Sequence, residues 1–306
     1  MISWRLAALT WFAVAAFSEV PKLRLPGDVR PLRYELDLQL DPQQDRYSGK
    51  VAIDIEVLQP TKTVWLNSTA LSIGEAKIGD RLARIEDGGV NFAGFSFESA
   101  LPVGRAKLSI AFSGALNTND VEGLFKQTED GNSYIFTQFE PTSARRAFPC
   151  FDEPSYKVPW KISVRAPQGL KVFSNTPQVS ERDDGEQMKL VRFAESKPMP
   201  SYLVAIALGP FDVVEGGTAG VKKTPLRILA MKGRAAEAAY AAAVTPKIFK
   251  VLETYFGTPY PYEKLDQAAI PVTVAFGAME NAGLITYGQT LLLANSRTTR
   301  SHDSEI

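Results

Sequence analysis

The sequence predicts a mainly β fold, in which a large antiparallel β-sandwich is followed by a shorter, incomplete α/β domain. Three observations carry this expectation. Apolar and polar residues alternate with period two from Tyr34 to about residue 212. That pattern lets each strand bury one face and wet the other. The grammar then changes near Gly216-Gly217-Thr218-Ala219-Gly220, beyond which an alanine-rich stretch carries a helical signature. Finally, the last residues, Asn295 to Ile306, are polar and aperiodic, so the second domain ends without a covering layer.

The elements follow in chain order. Residues 1–18 read as a signal peptide. Arg5 precedes an apolar run from Leu6 to Phe17, broken only by Thr10, and Ala16-Phe17-Ser18 offers a small-x-small cleavage site before Glu19. The run is short for a membrane span, and no other stretch is apolar enough to be one. This predicts export to a periplasmic or extracellular location. The alternative is a hydrophobic first element in a cytoplasmic protein. Residues 19–212 form the expected sandwich. Tyr34, Leu36, Leu38 and Leu40 alternate with Glu35, Asp37 and Gln39, and Val51, Ile53, Ile55 and Val57 with Ala52, Asp54 and Glu56. Further strands are expected over 106–112, 132–139, 160–166, 188–194 and 201–208. The sandwich is expected to close a core on its own. In the second domain, residues 213–306, a strand is expected over 225–231. A helix over 234–257 follows, stopped by Gly257. Pro246 either opens a second helix or kinks a single one. Two more strands are expected within 264–276 and 284–294.

Composition narrows the chemistry. The 306 residues carry 34 Lys plus Arg and 34 Asp plus Glu. This balance, with no basic stripe, argues against nucleic acid as a partner. One cysteine, Cys150, excludes an internal disulfide, and one histidine, His302, excludes a metal site built on two or three histidines of this chain.

Two stretches concentrate unusual residues. In 137–160, TQFEPTSARRAFPCFDEPSYKVPW, charges and aromatics are interleaved. A folded-over loop with Arg–carboxylate pairs reconciles them, which makes Arg145, Arg146, Asp152 and Glu153 structural. Cys150 reads as a small buried hydrophobe. Gln138 and Glu140, two apart on a strand, share a face and offer an amide acceptor and a carboxylate suited to a ligand ammonium. The second stretch is VAFGAMENAG, 274–283, which sets Glu280 and Asn281 in a small-residue, largely apolar run. A carboxylate there is either turned to water at a strand turn or part of an acidic site for a cation. The residues alone leave both open.

An ordered set of motifs then carries a resemblance. Gly277-Ala278-Met279-Glu280-Asn281 is followed by Gly283-Leu284-Ile285-Thr286-Tyr287. Before it come Thr137-Gln138-Phe139-Glu140, Ala144-Arg145-Arg146, Pro149-Cys150-Phe151-Asp152-Glu153-Pro154, Ser174-Asn175-Thr176-Pro177, Met199-Pro200-Ser201-Tyr202-Leu203, Tyr255-Phe256-Gly257, Pro259-Tyr260-Pro261 and Lys264-Leu265-Asp266. In this order the chain resembles the zinc aminopeptidases with a Gly-x-Met-Glu-Asn exopeptidase motif, the M1-type gluzincins. The likeness covers almost everything after residue 25.

The resemblance implies a β-sandwich followed by a thermolysin-like catalytic domain. It implies that Glu280 binds the α-ammonium of a peptide with a free N-terminus, helped by Glu140. Gly277 and Ala278 would pair with the substrate backbone, Gln138 would line the first subsite and Met279 would pack beside it. Asn281 would fix the loop geometry. It also implies zinc in the full-length enzyme. Two departures stand out. Ala282 occupies a position where the family commonly has tryptophan, a change expected to loosen local packing. In addition, the zinc motif His-Glu-x-x-His, which lies downstream in this family, is missing, and His302-Asp303-Ser304-Glu305 does not fit it. The chain is therefore expected to be the N-terminal portion of a zinc metallo-aminopeptidase, supplying amine recognition without bound zinc, a catalytic residue or activity of its own. The alternative is a non-catalytic peptide- or protein-binding protein derived from that family.

Overall fold

The computed structural model describes residues 19–271 and 277–294. The expected leader, residues 1–18, Val274 to Phe276 of the acidic-motif stretch and His302 lie outside the described residues. The strands of the first part are β1 (Val29–Gln39), β2 (Arg46–Val57), β3 (Thr61–Asn67), β4 (Ser72–Ile78), β5 (Arg81–Leu82), β6 (Arg84–Asp87) and β7 (Phe92–Leu101). They continue as β8 (Gly104–Ala115), β9 (Gly123–Glu129), β10 (Asn132–Gln138), β11 (Trp160–Pro167), β12 (Lys171–Ser174), β13 (Gln178–Asp183), β14 (Met188–Phe193) and β15 (Ile206–Gly209). The second part contains β16 (Asp212–Ala219), β17 (Thr224–Ala230), helix α1 (Ala239–Phe256), β18 (Leu265–Ile270), β19 (Ala278–Met279), β20 (Leu284–Gly288) and the short helix α2 (Gln289–Leu292).

Four sheets result. An eight-stranded sheet runs β13-β14-β11-β1-β2-β8-β4-β5, a three-stranded sheet β3-β7-β6, and a four-stranded sheet β12-β15-β10-β9. A five-stranded sheet, β16-β17-β18-β20-β19, belongs to the second part. The first three enclose one core, in which Tyr34 stacks on Trp160 with ring centroids 3.9 Å apart. The sandwich is largely antiparallel, but β1 pairs with β11 in parallel from Tyr34↔Trp160 to Gln39↔Arg165.

The four-stranded sheet is a middle layer. Ile135, Leu124, Val172, Ile206 and Leu208 face the sandwich core. Phe125, Tyr134, Phe136, Phe173, Ala205 and Ala207, on the opposite face, share a second core with the five-stranded sheet and α1. Both faces of β10 are therefore covered, and residues 134–139 are buried without a break. A strand covered on both sides reads as a continuous apolar run rather than as alternation. The four-stranded sheet ends at Gly209 and the five-stranded sheet begins at Asp212, while the second core spans both.

Two expected elements differ in detail. The strand expected over 201–208 begins as a 3-10 turn, Ser201–Leu203, and is extended only from Ile206. Buried Ser201 instead donates its hydroxyl to Asp152 Oδ1 at 2.6 Å, which requires the turn. The stretch 284–294 is a strand only to Gly288 and then turns into α2. The helix is single, with Pro246 inside it, and it ends at Gly257 in the left-handed conformation (φ +66°) that glycine adopts without strain.

Candidate functional site

The folded-over loop after β10 holds together as its composition requires. Arg145 Nε meets Asp152 Oδ2 at 2.9 Å, and Arg145 Nη2 donates to the Asp152 carbonyl at 3.1 Å. The other two charges reach outside the loop. Arg146 pairs with Glu122, while Glu153 accepts the Leu25 N–H at 2.9 Å. Cys150 is fully buried, and that burial pushes its thiol well above the usual range. A thiol so placed is a core group, not a nucleophile.

This loop positions Gln138 and Glu140 differently from one another. β10 ends at Gln138, and the chain turns at once, with the Ser143 N–H donating to the Phe139 carbonyl at 2.7 Å. Gln138 is 5% exposed, whereas Glu140 lies in the turn and is exposed to solvent. The shared strand face expected of the pair is therefore not formed, because the strand stops between them. Gln138 has the same parity as Tyr134 and Phe136, so it points to the layer between the four- and five-stranded sheets. Its Oε1 is buried there without a hydrogen-bond partner.

The exopeptidase motif forms the rim of the five-stranded sheet. Ala278 pairs with Tyr287 and Met279 with Thr286, antiparallel. Among the described residues β19 is the outermost strand, so its far side is an open edge. Gly277 takes φ +74°, and its carbonyl accepts the Gly288 N–H at 2.7 Å. Glu280 follows the strand and is exposed. Asn281 is 2% exposed, and its carbonyl accepts the Leu284 N–H at 3.2 Å, closing the turn.

Register decides which side chains look toward the sandwich. Arg227 stands over the Phe173 ring at 5.1 Å and opposite Asp266, which is opposite Leu284. Side-by-side residues share a face, so Arg227, Asp266 and Leu284 face the sandwich, as do Thr286 and its partner Met279. Met279 is buried there, and Thr286 Oγ1 and Asn281 Nδ2 are buried without partners. Gln138 comes from the opposite wall of the same interlayer. Two contacts fix this approach. Thr137 Oγ1 accepts the Ile206 N–H at 2.9 Å, while Asn175 accepts the Ala205 N–H and donates to the Ala282 carbonyl, each at 2.9 Å. Thr137, next to Gln138, and Asn175, which holds Ala282 next to Asn281, are thus tied to two adjacent residues of one segment.

Lys264 and Asp266 hold the motif from the other side. Lys264 Nζ donates to Asp266 Oδ2 at 2.8 Å and to the Gly283 carbonyl at 2.6 Å. Arg227 closes the cluster with two bonds to Asp266, at 2.7 and 2.8 Å. Burial lowers the Lys264 amine below its usual range, and Asp266 opposes that shift. The sequence marked these residues by motif but gave them no role. A usable signal was there: a Lys and an Asp two apart at the start of a largely apolar stretch need a partner if buried, and each can serve the other. Ala282, where the family commonly has tryptophan, is 3% exposed and packs in the sandwich core.

Comparison with known proteins agrees with this architecture. The model of the peptidase M1 N-terminal domain matches residues 30–203, and that of the peptidase family M1 domain matches residues 240–306. The chain belongs to peptidase family M1. It is 35% identical over 299 residues to aminopeptidase M1 of Arabidopsis thaliana, a match covering 92% of this chain and 33% of that protein. It is 34% identical over 298 residues to human glutamyl aminopeptidase, covering 92% of this chain and 31% of that protein. Its match to aminopeptidase N of Acetobacter pasteurianus is 32% identical over 289 residues, 92% of this chain and 81% of that one. The chain spans about a third of the length of the plant relatives.

The resemblance implies zinc only for the full-length enzyme. Among the described residues no three of His, Cys, Asp and Glu are grouped to hold a metal ion. Among the described residues the buried acids Asp152 and Asp266 are held by Arg, Lys and a Ser hydroxyl, so this donor set does not fit a zinc centre. Among the described residues no helix is long and apolar enough to cross a membrane.

Proposed function

We propose that this chain is the substrate-amine-recognising part of a zinc metallo-aminopeptidase that removes N-terminal amino acids from peptides. The observation that carries the reading is the open edge of β19, with Glu280 exposed at its end and the unpartnered Gln138 amide oxygen presented from the facing layer. An extended peptide adds to such an edge through backbone hydrogen bonds, Gly277 and Ala278 supplying the pairing groups. Its α-ammonium then falls at Glu280, with Glu140 as a second acid. A free amine is selected because an acetylated end leaves the carboxylate without its cation. Met279 and Gln138 bound the space for the first side chain. The zinc of the whole enzyme would be held by residues outside those described. The leader supports export, testable by fractionating cells that express the full chain.

Titration of the chain with tri-alanine and N-acetyl-tri-alanine tests the recognition. The free-amine peptide is expected to bind more tightly, and the chain to hold no stoichiometric zinc and release no amino acid. Equal binding of the two peptides refutes amine recognition. Zinc-dependent turnover by this chain refutes the division of labour.

A further inference from the structure

Asn175 was marked by the sequence only as part of Ser174-Asn175-Thr176-Pro177, without a task. It follows β12, is 4% exposed, and uses its side-chain amide for three bonds to two segments at once. Nδ2 donates to the Leu203 carbonyl at 2.7 Å and to the Ala282 carbonyl at 2.9 Å, and Oδ1 accepts the Ala205 N–H at 2.9 Å. Two of these bonds stay within the sandwich. The third crosses to the turn that ends the exopeptidase motif.

Gly283 shows how close that crossing is. A Cβ on Gly283 would stand 2.1 Å from the Asn175 carbonyl oxygen, and the residue has φ +70°. Only glycine lets the turn approach this far without strain. On its other side the turn is held by Lys264 Nζ and by the Asp266 N–H, which donates to the Gly283 carbonyl at 3.0 Å. The turn is thus gripped between the sandwich and β18, and β19 with Glu280 hangs directly from it. β19 itself has only two paired residues, too few to hold a position alone.

We propose that Asn175 is a positioning residue for the exopeptidase motif: it fixes the Asn281–Gly283 turn to the sandwich and so sets the open edge of β19 and Glu280 in register with Gln138. The clamp is a statement about geometry. Its use in placing a peptide amine rests on the function proposed above. The sandwich then acts on recognition through one amide, although Asn175 itself touches no substrate.

Two variants approach the contact from opposite sides. Asn175→Asp keeps the acceptor for Ala205 but replaces the donor with an oxygen facing two carbonyls. Gly283→Ala keeps the Asn175 amide and its two bonds within the sandwich but pushes the turn, and with it the Ala282 carbonyl, away. Hydrogen exchange of the intact chain is the primary readout. In both variants the amides of Met279, Leu284 and Gly288 are expected to exchange about tenfold faster, while those of Val51 and Ile53 in β2 stay protected. The double variant is expected to gain little over either single one, since both break the same contact. Unchanged protection at 279–288 in both variants overturns the proposal, and so does equally faster exchange in β2, which marks general destabilisation. Multiplicative effects in the double variant also count against it. Titration with tri-alanine and its N-acetylated form separates the two readings. If the unaltered chain binds both peptides alike, amine recognition fails and exchange still judges the clamp. If it discriminates and both variants lose that preference, the clamp serves recognition. Preference retained despite a loosened turn overturns the positioning role.

Discussion

Glu280 and Glu140 are both exposed in the described structure, and this sets the size of the effects expected from them. On the chain alone, a single exposed carboxylate–ammonium contact contributes about 0.2–1 kcal/mol. Glu280→Gln is therefore expected to weaken binding of a free-amine peptide only about two- to fivefold, read by titration. In a whole enzyme of the function proposed above, the same change is expected to cost roughly 2–5 kcal/mol, or about 1.5 to 3.5 orders of magnitude in kcat/KM. Gln138→Ala should cost less, since it removes a neutral acceptor. Steady-state kinetics on free and N-acetylated peptides checks the order. A Glu280→Gln enzyme with normal kcat/KM and full discrimination would return Glu280 to the status of a turn residue. Cys150 belongs to this scale too. Its raised thiol and full burial predict that a thiol reagent labels it only after unfolding, and fast labelling of the native chain would contradict the described core.

At the scale of elements, β18 carries the greatest electrostatic risk. Asp266 is fully buried and receives both Lys264 and Arg227. Removing it leaves two cations facing an apolar layer, so Asp266→Ala is expected to destabilise the chain by about 3–5 kcal/mol in chemical denaturation. The pH dependence has a definite sign. Burial already lowers the folded Lys264 amine, and loss of Asp266 lowers it further. Between the lowered folded value and 10.5, the ordinary lysine value, the unfolded variant then binds more protons than the folded one, so its stability rises with pH in that window. The deficit is expected to shrink as pH approaches 10.5, and a deficit that grows with pH would rule this out. Helix α1, by contrast, turns Val251, Tyr255 and Phe256 outward to solvent.

For the whole molecule, the middle position of the four-stranded sheet matters most. The sequence pattern suggested a sandwich able to close its own core by residue 212. In the structure, one face of that sheet is covered by the second part of the chain. Tyr134 accepts the Lys232 N–H at 3.0 Å, and Arg234 bridges Glu129 and Glu237 at 3.0 and 2.7 Å. A polypeptide covering residues 19–212 would expose Phe125, Tyr134, Phe136 and Phe173 together. Such a patch invites association, so this fragment is expected to bind a hydrophobic dye and to aggregate below the melting temperature of the longer chain. A monodisperse fragment with an equally sharp, equally high transition would show the cores to be independent.

The sequence by itself determined the strand-rich first part, the helix ending at Gly257, the structural use of Arg145 and Asp152, and, through its ordered motifs, the family. Those features are local, or they recur as short words, so neighbouring residues suffice to specify them. Tertiary structure alone decided the rest. Alternation could not say that β10 is covered twice, because the second cover comes from strands more than seventy residues later. Spacing placed Gln138 and Glu140 on one face, and the turn at Phe139 separated them. Nothing near Asn175 in sequence marks Ala282 as its partner, a contact spanning 107 positions. Such pairings are set by which layers must bury their apolar faces against each other, and that requirement is satisfied only when the whole chain has closed.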